Sequence, residues 1–231
     1  MNLSLRLKAI ADMVEKCDRM ADIGTDHAYI PVYLVDKHIC REAIASDINC
    51  GPIEKAKVNI KLNGFSDRIE CRIGSGLDTI KCGEVQQTVI AGMGGNLIRD
   101  IIDANIGVFK NSGKFVLQPV QNPEVLRKYI YSKGFKIIDE DLCIDENIFY
   151  EIIKVEYDDF VSEPDSIFYE VGKKIIEKKH PLAEAFIQRK IYKYNNILRY
   201  INDDGIASRK RKVEVKSKII KLRELIECLS K

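Results

Sequence analysis

Ala21-Asp22-Ile23-Gly24-Thr25-Asp26-His27-Ala28-Tyr29-Ile30-Pro31 ends one short apolar run, Met20-Ile23, and leads into a helical one. A glycine at the turn after a first strand lets a cofactor's atoms press on the backbone, and Gly24 supplies it. The stretch is not the three-glycine turn of nicotinamide enzymes, because Asp26 and Tyr29 stand where the second and third glycines belong. A pyrophosphate seeks bare amides at a helix N-terminus, and two carboxylates beside that turn repel it. A cationic cofactor is favoured instead, with Asp22 and Asp26 as its neighbours. The competing reading is that Asp22 only ends a strand and Asp26 only caps a helix.

Outward from this turn, short apolar segments alternate with helical patterns: Ala43-Ile48, Ile69-Ile73, Thr88-Ala91 and Lys114-Leu117. Strand-helix alternation predicts right-handed crossovers and a parallel sheet. Phe135-Ile138 and Phe149-Val155 leave no room for a helix between them, so an antiparallel pair closes one edge. Five parallel strands and a hairpin are the layout of a Rossmann-like class I methyltransferase, an α/β fold with a mostly parallel seven-stranded sheet. Upstream, Leu3, Leu7, Ile10 and Val14 mark one face of a helix.

The second segment ends at Asp47-Ile48, 25 positions after Asp22. A carboxylate there can accept hydrogen bonds from both ribose hydroxyls of an adenosyl group. Gly74-Ser75-Gly76-Leu77-Asp78 falls where a loop covers the adenine ring, or its glycines serve only the turn. Ala91-Gly92-Met93-Gly94-Gly95-Asn96 replaces the Asn/Asp-Pro-Pro-Tyr type sequence of many base amino-methyltransferases and predicts a wide floor for a bulky planar substrate. Leu117-Gln118-Pro119-Val120-Gln121-Asn122 places amides at the same mouth. S-adenosylmethionine, with its sulfonium and ammonium and no phosphate, suits this set. Its candidate contacts are Asp22, Gly24, Asp47, Ile48, Gly74, Ser75, Gly76, Ala91 and Met93.

Composition bounds the rest. The 231 residues are 45% hydrophobic and 31% charged, enough for one sizeable core plus a small appendage. Charges in the first twenty residues exclude a signal peptide, and no apolar run reaches membrane-spanning length, so a cytoplasmic location is expected. Seven scattered cysteines form no disulfide framework or zinc spacing and read as buried reduced thiols; no metal is expected. From Val171 onward there are 17 Lys/Arg against 7 Asp/Glu, a net of +10, while residues 1–170 carry −8. That asymmetry points to a polyanion-binding appendage on an acidic catalytic body. The boundary falls in the Asp158-Pro164 stretch, giving a catalytic domain over 1–160 and a helical one over 161–231. In the latter, Ile187, Ile191, Tyr194, Leu198 and Ile201, then Val215, Ile219, Leu222, Ile226 and Leu229, recur at heptad spacing around Asn202-Asp203-Asp204-Gly205. An antiparallel coiled-coil hairpin follows. Its basic cluster Arg209-Lys210-Arg211-Lys212 exceeds what solubility needs and reads as an RNA contact, a solvated coiled coil or dimerisation hairpin being the alternative.

Taken with the opening Leu3-Ser4-Leu5-Arg6-Leu7 and Gly51-Pro52, the Asp26-His27-Ala28-Tyr29 and Ala91-Gly92-Met93-Gly94-Gly95 pieces give the chain a family. It resembles the bacterial tRNA (adenine(22)-N1)-methyltransferases nearly end to end. One departure is Ser75, where relatives carry an acid. The resemblance implies cofactor contacts from Asp22, Gly24, His27, Asp47, Gly76 and Gly92, a catalytic place for Asp26 near the reacting centre, and a tail that engages tRNA. Arg6, Gln118 and Pro119 join the four tail cations as candidate RNA contacts. A monomer is expected, with a homodimer left open. The rivals are a methyltransferase for another RNA site or a small molecule, and a non-catalytic RNA-binding adaptor. A nicotinamide-dependent reductase lacks its glycines here.

Overall fold

The computed structural model describes residues 3–201 and 205–229. Two compact units emerge, Met1–Glu163 and Pro164–Lys231.

The first unit alternates strands and helices as far as its fifth strand: α1 (Leu5–Asp12), β1 (Cys17–Ile23), α2 (Tyr29–Asp36), β2 (Cys40–Asp47), α3 (Cys50–Leu62), β3 (Ile69–Ile73), a 3₁₀ turn (Gly76–Thr79), β4 (Gln87–Gly94), α4 (Gly95–Ala104), α5 (Ile106–Asn111), β5 (Lys114–Gln121) and α6 (Pro123–Ser132). A hairpin of β6 (Phe135–Asp145) and β7 (Ile148–Tyr157) follows. The strands form one seven-stranded sheet in the order β3-β2-β1-β4-β5-β7-β6. β7 runs antiparallel to both β5 and β6, and the other pairings are parallel. Helices cover both faces, which is why the last four residues of β1 and Ala43–Ser46 of β2 are buried without alternation. The chain leaves β1 in one direction along the sheet and returns to β4 on its other side. Between those two carboxyl ends the topology opens a crevice, the position where open α/β sheets bind ligands.

Boundaries move where local chemistry overrides periodicity. The first helix is shorter than Leu3–Val14: the Ser4 hydroxyl accepts from the Leu7 amide and Met13 ends the helix, although Val14 still reaches the core. The thiols are free, but only Cys40 is buried. Cys50, Cys82 and Cys228 are exposed, because they fall at the start of α3, in a loop and in a last helical turn. Among the described residues no group of three His, Cys, Asp or Glu side chains could hold a metal, and no helix is long and apolar enough to cross a membrane.

The second unit holds α7 (Ile167–Val171), α8 (Lys173–Glu177), α9 (Ala183–Tyr200) and α10 (Ile206–Leu229). Ile187 and Ile191 of α9 and Val215, Ile219 and Leu222 of α10 are buried, as their heptad positions require. The remaining members, Tyr194, Leu198, Ile201, Ile226 and Leu229, are half-buried. Glu170 of α7, 5% exposed, accepts hydrogen bonds from Tyr194 of α9 and Lys218 of α10 at 2.5 Å each. A buried carboxylate satisfied from two helices fixes how they meet. The turn residues Asn202, Asp203 and Asp204 lie outside the described residues.

Candidate active site

Gly24 leaves β1 at φ +78°, a conformation that side-chain-bearing residues rarely adopt. Its amide and that of Thr25 both donate to the Ser46 carbonyl, at 2.8 and 2.9 Å, which lashes the turn to the end of β2. A Cβ at position 24 would lie 2.0 Å from the Met93 methyl. The expectation of a wide floor is therefore corrected: the Met93 side chain fills the space above Gly24.

Thr25, not Asp26, organises the start of α2. Its hydroxyl accepts from the Ala28 amide at 3.0 Å and donates to Asp22. Ala28 is left-handed at φ 53°, and α2 has no side-chain cap. Asp26 makes no capping hydrogen bond, and its side chain is 65% exposed, with Lys55 Nζ and His27 Nε2 each 3.4 Å away. The Asn59 amide donates to the His27 carbonyl at 2.7 Å and pins this loop to α3. The His27 and Tyr29 rings stack at 5.0 Å.

Asp22 lies inside β1, 6% exposed. Burial pushes its carboxyl up to about 6, the charge of Asp47 pushes the same way, and the Thr25 hydrogen bond opposes both. Asp47, at the end of β2, gives one oxygen to the Asn49 amide at 2.7 Å. Two acids within electrostatic reach of each other, one buried and the other in the wall of a cavity, form a site that demands positive charge.

Gly24, Asp47, Ile48, Gly74, Ser75, Gly76 and Met93 line one cavity of about 140 Å³. Ile23, Ser46, Leu97 and Ile101 complete its wall, and none of these four is evident from the motifs. A signal for two of them exists in α4, where Ile98 and Ile102 already fill the core stripe. Leu97 and Ile101 extend that stripe beyond what the core needs. The Ser46 hydroxyl is buried without a hydrogen-bond partner, and Ser46 belongs to the wall of this cavity. A carboxylate in the wall for a ribose, a second, buried acid near it for an ammonium and an apolar slot for a purine together fit an adenosyl amino acid. Asp22, Asp26, His27, Ala91 and Gly92 are outside this lining.

Gly92 belongs to an adjacent feature. It is looped out of the β4–β5 ladder, since Ala91 pairs with Gln118 and Met93 with Pro119. At φ +75° its amide turns to the Gln118 side-chain oxygen, 3.2 Å away. The same oxygen accepts from Arg6 at 2.9 Å, and the Gln118 amide nitrogen donates to the Pro119 carbonyl at 3.0 Å. Gln118 is fully buried and Pro119 is buried as well. The Gln118 side-chain oxygen thus holds Arg6 and Gly92 in place rather than facing the mouth. Arg6 is half-buried over the Tyr150 ring, 5.4 Å from its centre. In the second unit Arg209, Lys210 and Arg211 are exposed and Lys212 is half-buried at the start of α10.

Residues 3–153 match the family model described as a methyltransferase domain. Strand order, acid-lined crevice and this match define a Rossmann-like class I methyltransferase. The tRNA (adenine(22)-N(1))-methyltransferase of Bacillus subtilis (strain 168) is 36% identical over 172 residues, spanning 74% of this chain and 72% of that protein. The crystal structure of the B. subtilis m1A22 tRNA methyltransferase TrmK superposes with a TM-score of 0.88 at 30% identity, covering 97% of this chain and 99% of that one. A Streptococcus pneumoniae putative tRNA (m1A22) methyltransferase, solved with S-adenosyl-L-methionine, gives 0.86 at 27% identity over 97% and 99%. The chain belongs to the tRNA (adenine(22)-N(1))-methyltransferase family.

Proposed function

We infer that this chain transfers a methyl group from S-adenosylmethionine to N1 of adenine 22 in tRNA, and that it works in the cytoplasm as a monomer. The observation that carries the cofactor half is the buried Asp22 within electrostatic reach of Asp47, which lines the cavity at the end of β2. The cofactor supplies an electrophilic methyl on a sulfonium. Asp22 offsets its ammonium, Asp47 accepts from the ribose, and Ile48, Leu97 and Ile101 enclose the purine. Adenine N1 attacks through an in-plane lone pair, so no strong base is required and the protein's contribution is alignment and exclusion of water. The reacting edge is the Watson-Crick edge, so a paired or stacked base is first turned out of its helix. The product base is cationic. Asp26, exposed and uncommitted to capping, stabilises that charge or takes a proton from the adjacent amino group. We assign catalysis to 1–160 and RNA holding to the coiled-coil hairpin of 161–231, with Arg209, Lys210, Arg211 and Lys212 on phosphates.

Asp22 provides the test. Its folded carboxyl titrates near 6, above the ordinary 3.8, so its contribution to stability is full below pH 3.8 and is lost as pH rises through 6. At pH 8 the buried charge costs up to about 3 kcal/mol. Asp22→Asn is therefore expected to raise the melting temperature at pH 8 and leave it nearly unchanged at pH 4. S-adenosylhomocysteine, which retains the ammonium, should bind the wild type more tightly as pH rises from 5 to 7.5 and bind Asp22→Asn weakly at every pH. Calorimetric titration reads the binding and thermal scans read the stability. Cofactor affinity in Asp22→Asn equal to wild type would remove Asp22 from the site.

A further inference from the structure

The outward face of α9 carries a pattern that phosphate attraction alone does not explain. With successive residues 100° apart, Ala185, Gln188, Arg189, Tyr192, Lys193, Asn196, Arg199 and Tyr200 fall within a sector of about 140°. All but the half-buried Asn196 are exposed. The opposite sector holds Ala183, Phe186, Ile187 and Ile191, all buried in the core of this unit. The outward sector thus has three cations, two side-chain amides and two tyrosines, and no acid. Glu184, in the first turn, is the single acidic residue of α9 and lies outside the sector.

Tyr192 is 68% and Tyr200 83% exposed, so neither ring packs the core. They stand about 12 Å apart along the helix, with Lys193 and Arg199 between them in sequence. Cations that track a backbone, interleaved with aromatic rings on which bases stack, are the means by which proteins grip unpaired nucleotides. A second copy of the chain fits this face poorly. In a two-fold pairing the patch meets itself, which sets Lys193 and Arg199 against their own equivalents in a sector that contains no acidic residue.

Resting on the tRNA reading above, we propose that the outer face of α9 is a docking surface for unpaired nucleotides of the RNA, with Tyr192 and Tyr200 stacking on bases and Arg189, Lys193 and Arg199 on the flanking phosphates. This face is distinct from the Arg209–Lys212 cluster in that its tyrosines add stacking, which releases no counterions, to the phosphate contacts of its cations.

The test compares wild type, Y192A/Y200A and Y192F/Y200F, with helix content checked by circular dichroism. Alanine is a good helix former and both sites are exposed, so the fold is retained. Binding is measured to unmodified tRNA and to a fully paired RNA duplex across a salt series. The alanine pair should bind tRNA at least tenfold more weakly, with the slope of log affinity against log salt unchanged. Duplex affinity should stay within twofold, and the phenylalanine pair should behave as wild type. An alanine pair that binds tRNA within twofold of wild type, or that loses tRNA and duplex equally, overturns the proposal. So does wild-type protein that sediments as a dimer while the alanine pair is monomeric, which would give the face to a second copy. Wild-type protein that binds no tRNA overturns this proposal and the reading beneath it together.

Discussion

Asp26→Asn is expected to slow methyl transfer to tRNA by roughly 10- to 1000-fold, the range for a lost general base or electrostatic stabiliser. Affinity for S-adenosylhomocysteine should hardly move, because Asp26 is outside the wall of the cofactor cavity. The substitution is isosteric, and the fold does not depend on the charge: Thr25 makes the hydrogen bond that organises the start of α2, and Asn59 holds the loop through a backbone carbonyl. A fall in turnover with cofactor binding intact therefore reports on the reacting base. Single-turnover rates at saturating cofactor separate that effect from binding. A variant that turns over normally would leave Asp26 as no more than the ion-pair partner of Lys55.

Removing the residues after Glu163 is expected to abolish tRNA methylation while leaving a folded protein that binds the cofactor. All seven strands and the whole cavity wall belong to Met1–Glu163, and a domain with its own core survives alone. The segment removed carries the net positive charge of the chain, so the remainder is acidic and repels phosphate. Replacing Arg209, Lys210, Arg211 and Lys212 by alanine is the milder form. Binding should weaken, and the salt slope should become shallower by about one unit for each phosphate no longer neutralised. Methylation by the truncated protein at the full-length rate would move the RNA surface onto the catalytic unit, around Arg6 and Lys8.

The sheet is legible in the sequence because its parallel strands are buried on both faces and appear as short apolar runs between helical ones; β3 begins and ends where those apolar residues do. The hairpin strands are harder to delimit. Phe135-Ile138 is the extent that apolar pattern assigns to β6, yet the strand continues to Asp145 through Asp139, Glu140 and Asp141, which have the composition of a turn. Glu140 is fully buried there because Arg127, also buried, reaches it at 2.7 Å and reaches Glu151 at the same distance. Apolar pattern cannot register a strand held by an internal ion pair. At the site, Asp22, Gly24 and Asp47 are readable from their spacing along two strands. Ser46 is not, and Leu97 and Ile101 show only as extra width in the apolar stripe of α4, since all three reach the cavity only after β2 and α4 are set against β1. Gln118 reads as an amide at the mouth; its place beneath the mouth follows from the bulge at Gly92, which no periodicity reports.

The most direct measurement is to incubate the full chain with methyl-labelled S-adenosylmethionine and an unmodified tRNA transcript, then map the product base by nuclease digestion and mass spectrometry. One N1-methyladenine at position 22, and none in a transcript with guanine there, is the expected result. Label at another position or on the exocyclic nitrogen, or no label from protein that still binds S-adenosylhomocysteine, would contradict it.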